Sequence, residues 1–212
     1  MSNIMLFPVS DVVTYKYYFG RLKMFEDKYE EARDSLHFAL KYTPKSKSCF
    51  KNRQRSLASL VPVELCLGVL PKDIVATTYG LTELVQIGQA VRRGDVRTFE
   101  AILEKYQRSF IRIGIYLVLE QAKTLLYRCL FKGIYRSLDN TRINLVSIEA
   151  ALQWLEQDVS LNEIECLVAN LIFQGKIKGY LSHQKRFLVL SKTDPFPGAA
   201  VVKSFQSTQS MS

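Results

Sequence analysis

Hydrophobic positions recur at intervals of three and four through most of the chain, the spacing of one face of an α-helix. Val13, Tyr17, Tyr18, Leu22 and Phe25 repeat this way from Asp11 onward, and a second helix is expected from Tyr29 to about Tyr42. Helices are also expected over 56–70, where Pro62 kinks the helix or starts a new one, and over 71–79. Residues 81–93 and 96–107 follow, the latter with Phe99, Ile102, Leu103 and Tyr106 inward. Residues 109–138 are strongly apolar and are expected to hold two or three helices, and Gly114 among them implies a bend or a close approach. Past Asp139-Asn140 the pattern shortens: 142–145 reads as a brief strand and 146–155 as a helix with Ile148, Ala151, Leu152 and Leu155 inward. Trp154, the one tryptophan, is expected in the core or an interface rather than as a base-stacking platform.

The densest local signals lie in residues 160–191. Ser160 is a good N-cap, and Glu163 three residues on completes a capping box. Ile164, Leu167, Val168, Leu171 and Ile172 make one apolar helical face, which Gly175 should end. Residues 177–181 and 187–190 are short β-rich runs joined by the polar loop Ser182-His183-Gln184-Lys185-Arg186. Helix, hairpin and basic loop together form the back half of a winged helix.

At the other end, Gly20, Ala32, Ala39 and Pro44 have the spacing of a tetratricopeptide-type helix pair, with Phe19, Tyr29 and Leu36 at its large positions. Gly20 and Ala32 would let two helices touch. Lys16 and Lys23 stand where that repeat usually carries aromatics. One such pair cannot bury both faces, since solenoids need about three units. Further repeats are therefore expected, the chain beginning part-way through a longer solenoid, with an abnormally apolar first face.

Charge changes this picture most. The 212 residues carry a formal net charge of +9, which points to a polyanionic partner. Residues 41–55 read as a loop with Lys41, Lys45, Lys47, Lys51, Arg53 and Arg55 and no acid: a solvated connection, or a phosphate-contacting patch. Cys49, Cys66, Cys129 and Cys166 form no paired motif, and with only His37 and His183 no zinc ligand set is formed. Three of these cysteines lie in apolar helical patterns as buried, reduced thiols, which suits a cytosolic or nuclear protein. No Gly-rich phosphate loop or nucleophile elbow is present, and Glu30-Glu31 and Glu163/Glu165 read as helix surface and capping, so no enzyme and no cofactor is expected. His37 reads as a structural histidine. No run is long enough to span a bilayer, and no membrane partner is expected.

The candidate nucleic-acid-binding residues follow from placement. Lys176, Lys178, Lys185, Arg186 and Lys192 fall on or beside the hairpin with His183 among them, and no acid occurs from Gln174 through Thr193. Arg128, Lys132 and Arg136 repeat at four-residue spacing as one helical stripe, and Arg142 opens the short strand. Such cations would neutralise phosphates and give salt-dependent, weakly sequence-specific binding. The helix over 162–173 offers Asn162, Glu163, Glu165 and Asn170 but no Arg or Lys, so backbone contact rather than base reading is expected.

With this order in view the chain resembles the PCI family. Helical repeats running into a C-terminal winged helix are that family's architecture, and its signature falls at Glu165, Leu171, Ile172, Gly175 and Ile177. The segments "VTYKYYFGR" (13–21), "FIRIGIYLVLE" (110–120), "ANLIFQGKIKGYLSHQ" (169–184) and "DPFP" (194–197) look like the branch found in a nuclear-pore-associated transcription-and-export complex. That branch normally has more repeats ahead of the point matching Met1. The resemblance implies a mostly α fold: TPR-like helical repeats, a right-handed solenoid, over 1–108, a winged-helix subdomain with its lead-in helix and a small β-hairpin over 109–192, and a flexible tail over 193–212, docked at Phe196 if anywhere. It implies a non-catalytic scaffold in the nucleus. Its partners would be a large export-scaffold subunit of the germinal-centre-associated nuclear protein type, a small acidic subunit shared with the proteasome lid, RNA and double-stranded DNA. A protein-only PCI scaffold of a proteasome-lid, signalosome or translation-initiation complex stays open.

Overall fold

The structure, a computed structural model, describes residues 7–198. Helix α1 (Val9–Phe25) folds back on α2 (Tyr29–Tyr42) because their facing positions are small. A Cβ on Gly20 would lie 2.8 Å from Leu36 Cγ and 3.1 Å from the Ala32 carbonyl oxygen. Met24, Ala32, Leu36 and Ala39 are buried in this seam, as the repeat-type spacing predicted. The outer side of α1 is as apolar as expected: Tyr15, Tyr18, Leu22 and Phe25, on successive turns, are all more than half exposed.

Helix α3 (Phe50–Cys66) corrects the expected basic loop over 41–55: only the stretch around a short 3-10 turn, Lys47–Cys49, is loop, and 50–55 are helical. The reason is non-local. Arg53, held half-buried, donates from Nη1 to the carbonyls of Leu40 (2.9 Å) and Thr43 (2.6 Å), satisfying the end of α2, and from Nε to the Tyr79 hydroxyl (2.9 Å). Phe50 stacks on Tyr79 at 5.5 Å between centroids. Tyr79 closes α4 (Asp73–Tyr79). Pro62 neither ends nor restarts α3, which runs through it with Ser56 to Val63 all buried. Helices α5 (Thr82–Arg93) and α6 (Val96–Lys105) follow. The apolar stretch after them is two helices, α7 (Gln107–Ile113) and α8 (Tyr116–Leu138), divided at Gly114, which has a left-handed φ of 80°. Arg21 Nη2 donates to the Ile113 carbonyl (2.6 Å) at that break.

The remaining elements are β1 (Arg142–Asn144), α9 (Leu145–Trp154), α10 (Leu161–Phe173), β2 (Gly179–Ser182) and β3 (Phe187–Leu190). The order α8, β1, α9, α10, β2, β3 is that of a complete winged helix. Its sheet is antiparallel in the order β1-β3-β2. Ile143, Leu188 and Leu190 point inward and are buried, in a core that includes Phe131, Ile148, Leu152, Ile164, Val168 and Leu171. The expected capping box is present: Ser160 N–H donates to Glu163 Oε2 (2.8 Å) and Glu163 N–H to Ser160 Oγ (3.4 Å). Gly175, with a φ of 68°, follows α10 as expected.

The chain divides into two compact units, Met1–Gly88 with Ile102–Ala122, and Gln89–Ala101 with Lys123–Ser212. The first contains α1 to α4, α7 and the first residues of α8, and the second the winged helix from Lys123 of α8 onward. Of the two places expected for Trp154, the core is ruled out: it is 77% exposed at the end of α9, with the Arg97 guanidinium 6.0 Å from its ring and donating to its carbonyl at 2.6 Å. The first part of the expected tail is docked at the place allowed for, with Phe196 and Pro197 buried. The rest of the expected flexible tail, 199–212, lies outside the described residues.

Candidate nucleic-acid interface

The wing is built by short-range rules. Leu171 O accepts from both Lys176 N–H (2.9 Å) and Ile177 N–H (3.2 Å), which turns the chain out of α10 toward β2. The β2–β3 loop closes with Arg186 N–H on His183 O (3.2 Å) and Arg186 at a left-handed φ of 53°. Gly179 is required where it sits, since a Cβ there would run into the Val189 carbonyl of the neighbouring strand.

The ten candidate residues separate into committed and available groups. Arg128 is the clearest correction. It does not join an exposed stripe: half-buried, it donates from Nε to Lys176 O (3.2 Å) and from Nη2 to Phe196 O (3.0 Å) and Pro197 O (2.8 Å). Its guanidinium also lies 6.0 Å from the Phe196 ring, and Phe196 packs on Tyr135 at 5.8 Å. These carbonyls satisfy a half-buried cation, so Arg128 straps the segment after β3 to α8 rather than meeting a phosphate. Lys178 is tied to the same strap, by Nζ to Asp194 Oδ2 (3.6 Å) and by its N–H to Pro195 O (2.9 Å). Lys176 is half-buried. His183 Nδ1 is 2.7 Å from Glu165 Oε2, so α10 reaches the wing loop through its signature acid.

Arg136, Arg142, Lys185, Arg186 and Lys192 are exposed, Lys132 is half-buried, and none of the six has a carboxylate partner among the described residues. Arg142 lies 6.0 Å from the ring of Phe187, on the adjacent strand. Lys185 and Arg186 occupy the wing tip and Lys192 follows β3. The strands of the sheet contain no acid. The outward side of α10, with Asn162, Cys166, Ala169, Asn170 and Phe173 exposed, presents no cation, as its sequence requires.

The environment shifts two other groups in this unit. Hydrogen bonds from the Ser160 side chain and backbone hold the Glu163 carboxyl below the usual range, and burial pushes the Cys129 thiol up. Among the described residues no group of three or more His, Cys, Asp or Glu is placed to hold a metal ion, and no helix is long and apolar enough to cross a membrane.

Sequence reasoning passed over Tyr180 and Phe187. Both lie on the outer face of the sheet, and the alternation in "GYLS" and "FLVL" was the signal that puts them there.

Residues 103–192 match the family described as "PCI domain". The chain is 40% identical over 186 residues to "PCI domain-containing protein 2" of Danio rerio, covering 87% of this chain and 46% of that protein. It is 40% identical over 201 residues to "Enhanced ethylene response protein 5" of Arabidopsis thaliana, covering 90% and 47%. It is 29% identical over 218 residues to "Protein CSN12 homolog" of Neurospora crassa, covering 95% and 48%. The chain spans about half the length of these curated relatives. The match and the α8-to-β3 winged helix agree in place and in kind: over residues 103–192 the chain carries a PCI domain.

Proposed function

We propose that the chain is a non-catalytic scaffold component of a nuclear mRNA-export assembly whose winged helix grips the backbone of RNA or DNA. The observation that carries this reading is a sheet whose strands contain no acid, with Arg142, Lys185, Arg186 and Lys192 exposed and without carboxylate partners among the described residues. Surface cations not held in ion pairs are available to phosphate. The absence of Arg and Lys on the outward side of α10 makes the contact one to backbone rather than to base edges. The export role, the nuclear-pore location and the partners, a large export-scaffold subunit and a small acidic subunit, rest on the resemblance of residues 13–21, 110–120, 169–184 and 194–197 to that branch of the PCI family.

A second reading is a protein-only scaffold of a lid-like, signalosome-like or initiation-factor assembly. It is favoured by the same cation-free face of α10, which ends in Phe173 at 83% exposure and suits a protein partner. One experiment separates the two. Lys185, Arg186 and Lys192 changed together to Glu should lower affinity for RNA and DNA at low salt at least tenfold, and reduce the slope of log K against log salt by roughly 0.7 to 0.9 per lost contact. Unchanged affinity with an intact fold moves the grip off the wing, and failure of the unaltered chain to bind RNA or DNA at low salt favours the protein-only scaffold.

A further inference from the structure

We infer that the outer face of the three-stranded sheet is a stacking platform for single-stranded nucleic acid, with Tyr180 and Phe187 receiving bases and Arg142 flanking them. This deepens the proposed function and rests on it. The strand register places Arg142, Val189 and Tyr180 side by side in one row across the sheet, and Asn144, Phe187 and Ser182 in the next. The alternate positions Ile143, Leu188 and Leu190 are buried, so both rows face away from the core. Tyr180 is 62% exposed on β2, an edge strand, and Phe187 on the central strand is half-buried.

Tyr180 and Phe187 are diagonal neighbours, their Cα atoms about 7–8 Å apart by sheet geometry, a step that successive unstacked bases of an extended strand can bridge. The Arg142 guanidinium, 6.0 Å from the Phe187 ring, offers a planar cation beside the same surface. The occupant follows from charge. No carboxylate lies in any of the three strands, and Lys185, Arg186 and Lys192 rim the hairpin. Aromatic rings inside a positive rim are the arrangement that holds single strands, because every base has a π-face and every linkage a negative charge. A duplex keeps its bases stacked inside and gives Tyr180 nothing to bind, and α10 lacks the cations to read a groove instead.

The test compares a short single-stranded oligonucleotide, an abasic strand of equal length and charge, and a duplex, bound to the 212-residue chain at one low salt concentration. The intact single strand should bind about tenfold more tightly than the abasic strand, at the low end for a stacked base. Tyr180→Ala should bring the intact strand down to the abasic level, Tyr180→Phe should retain the difference, and Lys185→Glu with Arg186→Glu should weaken both strands alike. Melting of each variant checks that the fold persists. Equal binding of intact and abasic strands, or no loss in Tyr180→Ala, would leave this face to a protein contact and overturn the stacking while the backbone grip stands. Failure of the unaltered chain to bind any of the three overturns both.

Discussion

Arg128 shows how a residue's type can mislead about its task. Its four-residue spacing from Lys132 and Arg136 is real, yet its guanidinium is spent on three carbonyls, two of them from the strap. Arg128→Ala should destabilise the winged helix by about 2–3 kcal/mol, because carbonyls that now bond to a cation lose it. Thermal unfolding reads that loss, and faster exchange of the Lys178 amide, which bonds to Pro195 O, reads release of the strap. Arg128→Lys should not restore it, since an ammonium lacks the planar fork. Arg136→Ala, by contrast, should change stability by less than about 0.5 kcal/mol, as an exposed residue without partners among those described. Glu163 gives a pH effect of known sign. Its carboxyl is held below the unfolded value by the Ser160 hydroxyl and N–H, so its contribution is present above the unfolded pKa and is lost as pH falls through the folded one. Denaturant melts from about pH 6 down to about pH 3 should show this acid loss, and Glu163→Gln should flatten that part of the profile.

At the level of elements, signals carried by neighbours in sequence were legible and those carried by distant partners were not. Ser160 with Glu163 marked the start of α10 and Gly175 its end, because caps are local. The outer-face alternation of β2 and β3 was equally local. The start of α3 at Phe50 was hidden: its first turns are basic and polar, and what makes them helical is Arg53 reaching the end of α2 and Phe50 stacking on Tyr79. Trp154 was hidden for a similar reason, since α9 buries Ile148 and Leu152 and leaves the indole to Arg97 of α6. The α1–α2 pair was read correctly from spacing because it needs one close approach. Gly20→Val puts branched carbon against the buried Leu36 and the Ala32 carbonyl, and should cost about 1–3 kcal/mol in denaturant unfolding. Even Gly20→Ala is crowded, for a single Cβ would lie 2.8 Å from Leu36 Cγ.

For the whole molecule the question is how much of the +9 charge takes part in binding. The described winged helix offers Arg136, Arg142, Lys185, Arg186 and Lys192 as exposed cations without acid partners, while Arg128 and Lys178 are withdrawn by the strap and His183 by Glu165. Cations also stand on the other unit, where Lys45, Lys47, Lys51 and Arg55 surround the start of α3, so net charge alone does not say which surface an anion meets. Salt dependence does. Each phosphate neutralised on a single strand contributes about 0.7 to the slope of log K against log salt, so contacts by all five of these cations predict a slope near −3.5 and roughly a hundredfold loss of affinity between about 50 and 200 mM salt. A titration series over that range measures it. A slope near −3.5 that falls in the Lys185→Glu, Arg186→Glu, Lys192→Glu variant confines the grip to the winged helix. A slope about twice as steep, little changed in that variant, would mean that cations around α3 neutralise phosphate as well, and that the wing is the smaller part of the surface.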